Sequence, residues 1–154
     1  MDIDIETGDY MVNTPSTYKF SVFTNRVDIG TKITIRVPYM LTVMASSGNP
    51  ITSCQETAFV AATNTMTNTT LANCIYTQQI GYQEISFQVS RSYSGITLFY
   101  FFVGPIRNPS SVMYPDSFQV EFSGGFPTGT QNNGLILTYQ PNKLKEATLT
   151  KNLK

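Results

Sequence analysis

Gly30-Thr31-Lys32-Ile33-Thr34-Ile35-Arg36-Val37-Pro38 is the stretch on which the reading of the fold turns. Apolar and polar side chains alternate without a break: Ile33, Ile35 and Val37 on one side, Lys32, Thr34 and Arg36 on the other. Successive side chains of an extended chain point to opposite faces, so this pattern predicts a strand with one face buried and one face wet. Pro38 ends it, because proline has no amide to give to a ladder. Asp28-Ile29-Gly30 supplies the turn before it.

The same period recurs on both sides. Residues 17–23 place Tyr18, Phe20 and Val22 on one face; residues 84–89 do so with Ile85, Phe87 and Val89; residues 117–122 do so with Phe118, Val120 and Phe122. Residues 96–103 are apolar on both faces, which predicts a central strand covered on both sides. Shorter strands are expected over 39–44, 73–77 and 135–139, and residues 58–62 read as either a strand or a helical turn. Residues 63–70, 106–115 and 123–134 read as loops. Eight or nine short strands, with turn signals between them and no convincing helix, predict an all-β chain. The expected architecture is an antiparallel immunoglobulin-like β-sandwich with extended N- and C-terminal arms; a jelly roll is second. The expected divisions are an acidic arm or first strand over 1–13, the sandwich over 14–141 and a basic arm over 142–154.

Ten acids balance ten bases in 154 residues, so no basic excess invites nucleic acid. The chain has no His, which excludes a Ser-His-Asp triad, a Cys-His dyad and a His-ligated zinc within it. At 41% hydrophobic it is too apolar for a disordered chain. The longest apolar run, 96–103, falls far short of the roughly 20 residues that a membrane-spanning helix requires. Cys54 and Cys74 are the only cysteines. Two readings stand for them: a disulfide formed in an oxidising compartment, or two reduced, buried thiols. Asn68-Thr69-Thr70, between them, is a glycosylation sequon. The opening Met1-Asp2-Ile3-Asp4-Ile5-Glu6 lacks the basic-then-apolar pattern of a leader, which leaves a mature, processed or cytosolic chain.

Charge is segregated to the ends. Asp2, Asp4 and Glu6 alternate with Ile3 and Ile5, so an extended head carries acids on one face and isoleucines on the other. Clustered carboxylates, here with Asp9, also suit calcium. At the other end stand Lys143, Lys145, Lys151 and Lys154, with Leu149 and Leu153 alternating against Thr150 and Asn152. Either these are two solvated termini, or one arm adds a strand to the sheet edge of a neighbour.

Tyr18-Lys19-Phe20, the Gly30–Pro38 stretch, Cys54 and Cys74, Ile106-Arg107-Asn108-Pro109-Ser110 and Ser117-Phe118-Gln119-Val120 carry a resemblance. In order and spacing, residues 17–122 resemble the repeated β-domain of very large ciliate cell-surface and extracellular proteins. The resemblance implies a secreted, disulfide-linked (Cys54–Cys74) β-sandwich used as a building unit, with no catalytic residues to carry over. This chain departs from that pattern in having one copy, with no cysteine-rich module beside it.

Candidate chemistry elsewhere is thin. The remaining acids, Asp28, Glu56, Glu84, Asp116, Glu121 and Glu146, are scattered, which does not suit the paired carboxylates of glycoside hydrolysis. Gly124, Gly125 and Gly129 lack the spacing of a phosphate loop. Tyr82, Tyr93, Tyr114 and Tyr139 either stack a sugar or pack the core, and the 123–134 loop either binds a glycan or is solvated. The expectation is a non-enzymatic structural subunit of an extracellular filament or cell-surface coat. It assembles head-to-tail with copies of itself or neighbouring domains through Asp2, Ile3, Asp4, Ile5 and Glu6 at one end and Lys143, Lys145, Leu149, Lys151 and Leu153 at the other. An N-linked glycan at Asn68, no catalytic residues, no metal, no cofactor and no membrane span complete it. The alternative is a carbohydrate- or cell-surface-binding adhesion module.

Overall fold

The computed structural model describes residues 2–45, 48, 53–112, 116–132 and 134–141. Its strands are β1 (Ile3–Thr7), β2 (Pro15–Phe23), β3 (Arg26–Val27), β4 (Lys32–Val37), β5 (Thr42–Val43), β6 (Ser53–Val60) and β7 (Thr65–Met66). They continue with β8 (Thr70–Leu71), β9 (Ile75–Gln79), β10 (Tyr82–Gln88), β11 (Tyr93–Ser94), β12 (Leu98–Arg107), β13 (Gln119–Ser123) and β14 (Gly129–Gln131). No helix occurs among the described residues. One antiparallel sheet runs β1-β2-β12-β6-β7, with β5 on β12 and β8 on β6; the other runs β14-β13-β4-β10-β9; β3 pairs β11. The two sheets face each other across one core. Phe20 and Phe101 of the first sheet stack at 4.8 Å, and Phe101 meets Phe87 and Phe122 of the second edge-on. Offset and edge-on rings of this kind favour one packing over others by about 0.5–1.5 kcal/mol each beyond their buried area.

The alternation in the sequence is what builds this. Ile33, Ile35 and Val37 are buried, and Lys32 and Arg36 are exposed. Gly30 takes φ +82° at the turn before β4, where Thr31 N donates to Asp28 O, a conformation costly for any residue with a Cβ. The strands share two poles. The upper one holds the ends of β2 and β13 and the 89–97 connection. The lower one holds the 8–14 turn, the 38–45 segment, the β9–β10 turn and the end of β12.

Several expectations need correcting. β12 is central in its sheet, but of its first six residues only Phe99, Phe101 and Val103 are buried; Leu98, Tyr100 and Phe102 are half-buried on the outer face, over which the described residues lay no second layer. Residues 135–139 make no ladder. They alternate as expected, with Leu135, Leu137 and Tyr139 buried and Ile136 and Thr138 exposed, so the segment packs one face on the core without joining a sheet. Its backbone bonds run to Phe118 N through Leu135 O, and to Tyr10 and Val12 through Gln140. The 63–70 and 123–134 stretches, read as loops, contain β7, the start of β8 and β14, and β12 extends through Ile106 and Arg107. β6 is a full strand, hidden from the sequence because its inward positions are Cys54, Glu56 and Ala58 rather than large apolar residues. β1 pairs β2 in the same sheet as the body, so within residues 1–13 the stretch Ile3–Thr7 has the form of a first strand.

Candidate functional site

β1 pairs with β2 from Ile3↔Val22 to Thr7↔Tyr18 and lies at the edge of its sheet. Phe23 N donates to Asp2 O and Gly8 N to Thr17 O, both at 3.1 Å. In an antiparallel ladder these bonds alternate, so Asp2, Asp4, Glu6 and Gly8 turn their backbone groups to β2, while Ile3, Ile5 and Thr7 turn theirs away. Among the described residues no strand pairs with that far edge. A side chain reaches it at one end, where Gln131 Nε2 donates to Ile3 O at 3.4 Å. The side chains divide as the sequence predicted: Ile3 is buried, Ile5 half-buried, Asp4 and Glu6 exposed. Glu6 pairs with Lys19 Nζ at 3.1 Å, and the same ammonium sits 4.5 Å over the Tyr100 ring. A cleft of about 430 Å³ runs beside the strand, lined by Asp4, Ile5, Glu6, Tyr10, Gly134 and Ile136. The acids lie along the strand rather than converging. Asp9 Oδ1 is taken by Met11 N at 2.9 Å, a local turn rather than a ligand position.

The opposite group, Lys143, Lys145, Leu149, Lys151 and Leu153, lies outside the described residues. The polypeptide that leads to it is fixed at the lower pole: Met11 and Gln140 form a parallel bridge, and Gln140 N donates to Tyr10 O at 2.7 Å. One residue organises this pole, and sequence reasoning missed it. Asn108 is buried at 2% exposure. Its Nδ2 donates to Asp9 O and Met11 O, both at 2.7 Å, and its Oδ1 accepts from Tyr18 Oη. Tyr18 has one proton, given to Asn108, so the 2.9 Å bond between Tyr18 and Tyr139 is donated by Tyr139. Burial, first of all, raises the pKa of both tyrosine hydroxyls, which keeps them as donors. The sequence signal for Asn108 was weak: it is one of two polar residues, with the half-buried Arg107, between Ile106 and Pro109.

Cys54 and Cys74 form a disulfide with Cα atoms 6.0 Å apart, which decides between the two readings left open. It ties β6 of one sheet to the approach to β9 of the other. Asn68 is exposed, and its backbone oxygen accepts from Arg91 Nη2 at 3.3 Å, leaving the sequon side chain at the surface. Among the described residues Glu56 is the one fully buried acid. Ser90 N donates to its Oε1 at 3.0 Å and Ser90 Oγ donates to the same oxygen. Desolvation raises its pKa, and the Ser90 bonds, Tyr93 and the Arg91 charge oppose the rise. The proposed tyrosine platform is not assembled. Tyr93 and Tyr139 are buried, Tyr82 is half-buried under Arg36, and Tyr114 lies outside the described residues. Another cleft, about 530 Å³, is lined by Lys32, Leu71, Asn73, Ile75 and Ser90 without a carboxylate. No helix among the described residues is long and apolar enough to cross a membrane. No protein-family model matches the chain, and no curated protein resembles it.

Proposed function

We propose that this chain is a structural, non-enzymatic subunit or module of an extracellular filament or cell-surface coat, built head-to-tail from copies of itself through terminal strands. The observation that carries the reading is the edge strand β1. Backbone groups of Ile3, Ile5 and Thr7 face away from its only described neighbour strand; Ile3 and Thr7 are covered and Ile5 is half-buried, with Asp4 and Glu6 exposed beside them. A sheet edge of this kind is a template for a further strand. The Lys-rich segment 143–154 follows Pro141, which lies at the lower pole where β1 ends, and has the charge to seek that edge on a neighbour. Opposite charge steers the encounter, and ladder bonds with the apolar side chains of Leu149 and Leu153 would hold it. Contacts that pass from one end to the other without closing make a filament. The disulfide, the exposed Asn68 sequon and the resemblance to ciliate surface domains support an oxidising, extracellular setting. The carbohydrate-binding alternative has no comparable support, since Tyr93 and Tyr139 are in the core.

The test uses two full-length variants and one deletion, viewed by electron microscopy with sedimentation. Deleting 143–154 abolishes polymer. Ile5→Pro, which removes an amide pointing away from β2, blocks the acceptor edge while keeping the β1–β2 ladder. Leu71→Ala, an exposed side chain on a strand away from β1, assembles normally. Polymer that survives both the deletion and Ile5→Pro rejects the strand mechanism.

A further inference from the structure

Half of the ten exposed large apolar side chains among the described residues, Phe23, Met66, Tyr39, Met44 and Ile80, stand at two opposite places. On the outer face of the first sheet, at its upper end, Phe23, Leu98, Phe59 and Met66 stand in register on four adjacent strands, Phe23↔Leu98↔Phe59↔Met66. Phe23 is 49% and Met66 51% exposed, with Leu98 and Phe59 half-buried between them. At the lower pole Ile80 tips the β9–β10 turn at 101% exposure. Tyr39 (52%) anchors beside it, its Oη donating to Gln79 O at 3.0 Å, and Met44 is 41% exposed. Gly81, at φ +91°, supplies the turn geometry, so the backbone makes no demand for isoleucine at 80; polar residues are usual there. An apolar row and an apolar tip, each solvent-facing, mark contact surfaces.

We propose that the lower tip of one copy, Ile80 with Tyr39 and Met44, seats on the Phe23–Leu98–Phe59–Met66 row of a second copy. The proposal rests on the head-to-tail reading and deepens it. The occupant is another copy of this chain for two reasons. First, the segment 142–154 continues from Pro141 at the same lower pole, and its 13 residues span at most about 45 Å. The neighbour that receives Ile80 is therefore within its reach. Second, the edge that suits this segment begins beside the row: Asp2 O accepts from Phe23 N, so the acidic end of β1 and the apolar row share one corner. Basic segment and apolar tip thus meet an acidic edge and an apolar row on one neighbour. Because the two surfaces lie at opposite poles, the contact is heterologous and propagates.

The test is a charge-swap mixture of full-length chains, each first checked for an unchanged melting temperature. Ile80→Lys alone and Met66→Asp alone each raise the critical concentration for assembly about tenfold or more. Mixed in equal parts they assemble again, because the ammonium introduced at the tip of one chain meets the carboxylate introduced in the row of the next, and the intact surfaces alternate with them. Failure of the mixture to recover, with both variants folded, overturns the pairing of these two surfaces. If Ile80→Lys polymerises like the parent while deletion of 142–154 abolishes polymer, the tip-on-row contact is wrong and the strand reading stands. If the parent chain stays monodisperse at every concentration, the strand reading fails and the contact with it.

Discussion

Replacing Asn108 by Ala removes three hydrogen bonds from one buried side chain: two to the carbonyls of Asp9 and Met11 and one from Tyr18. The cost follows from what each partner retains. Tyr18 Oη is fully buried and loses the acceptor of its proton while keeping its bond to Tyr139, which costs about 1–3 kcal/mol. The two carbonyls are part-buried and recover some hydration, which puts them near about 1 kcal/mol each. The sum is about 3–5 kcal/mol, out of about 5–15 kcal/mol for a typical domain. At about 2–4 °C per kcal/mol for this size, the melting temperature falls by about 10 °C. Asn108→Asp is nearly isosteric but cannot donate, and it aims a carboxylate at two carbonyl oxygens, so its loss is at least as large. Urea unfolding measures both, with an unchanged slope as the sign that the denatured state is not the cause. Native-state hydrogen exchange adds a local readout: the amides of Val12 and Gln140, which bond across the 10–12 and 140 segments, exchange faster in Asn108→Ala than amides of β10 do. A loss below about 1 kcal/mol in both variants refutes the reasoning that this side chain holds the lower pole together.

Gly104→Ala places a Cβ 3.0 Å from both Ser16 O and Thr17 Cα, backbone atoms that cannot swing away, and is expected to cost about 1–3 kcal/mol by chemical unfolding. Cys54→Ala with Cys74→Ala opens a 20-residue separation and is expected to lower stability by about 3 kcal/mol, read against the oxidised parent in the same denaturant series. Glu56 has a folded pKa raised above its ordinary 4.5, chiefly by desolvation, so its protonated form binds more tightly in the fold than in the unfolded chain. The corresponding stability is complete below pH 4.5 and is withdrawn as pH rises through the folded value. Relative to Glu56→Gln, the parent therefore loses stability between acid and neutral pH; parallel melting curves for the two proteins across that range exclude the assignment. Expression in a glycosylating secretory host should yield a chain whose mobility shifts on glycosidase treatment and does not shift in Asn68→Gln.

Much of the architecture was legible from residue order because a strand with one wet face writes its burial into every second residue. Ile33, Ile35 and Val37 fixed β4 in that way, and Tyr18, Phe20 and Val22 fixed β2. The head was legible too, since alternation of Ile3 and Ile5 with acids requires an extended chain, and β1 has that form. Period alone does not say what a segment pairs with. Leu135, Leu137 and Tyr139 carry the same signal as a strand, yet they bury that face without joining a ladder, with isolated bonds from Leu135 to Phe118 and from Gln140 to Tyr10 and Val12. Nor does it expose a strand whose inner face is Cys54, Glu56 and Ala58, or the burial of Asn108 and Glu56. Those are decided by partners distant in the chain: Asn108 reaches residues 90 and 99 positions away, at Tyr18 and Asp9. Local alternation is a property of the covalent chain and survives reading one residue at a time. Which edge stays open, and which polar group is enclosed, depends on how sheets stack, and that exists only once the chain has closed on itself.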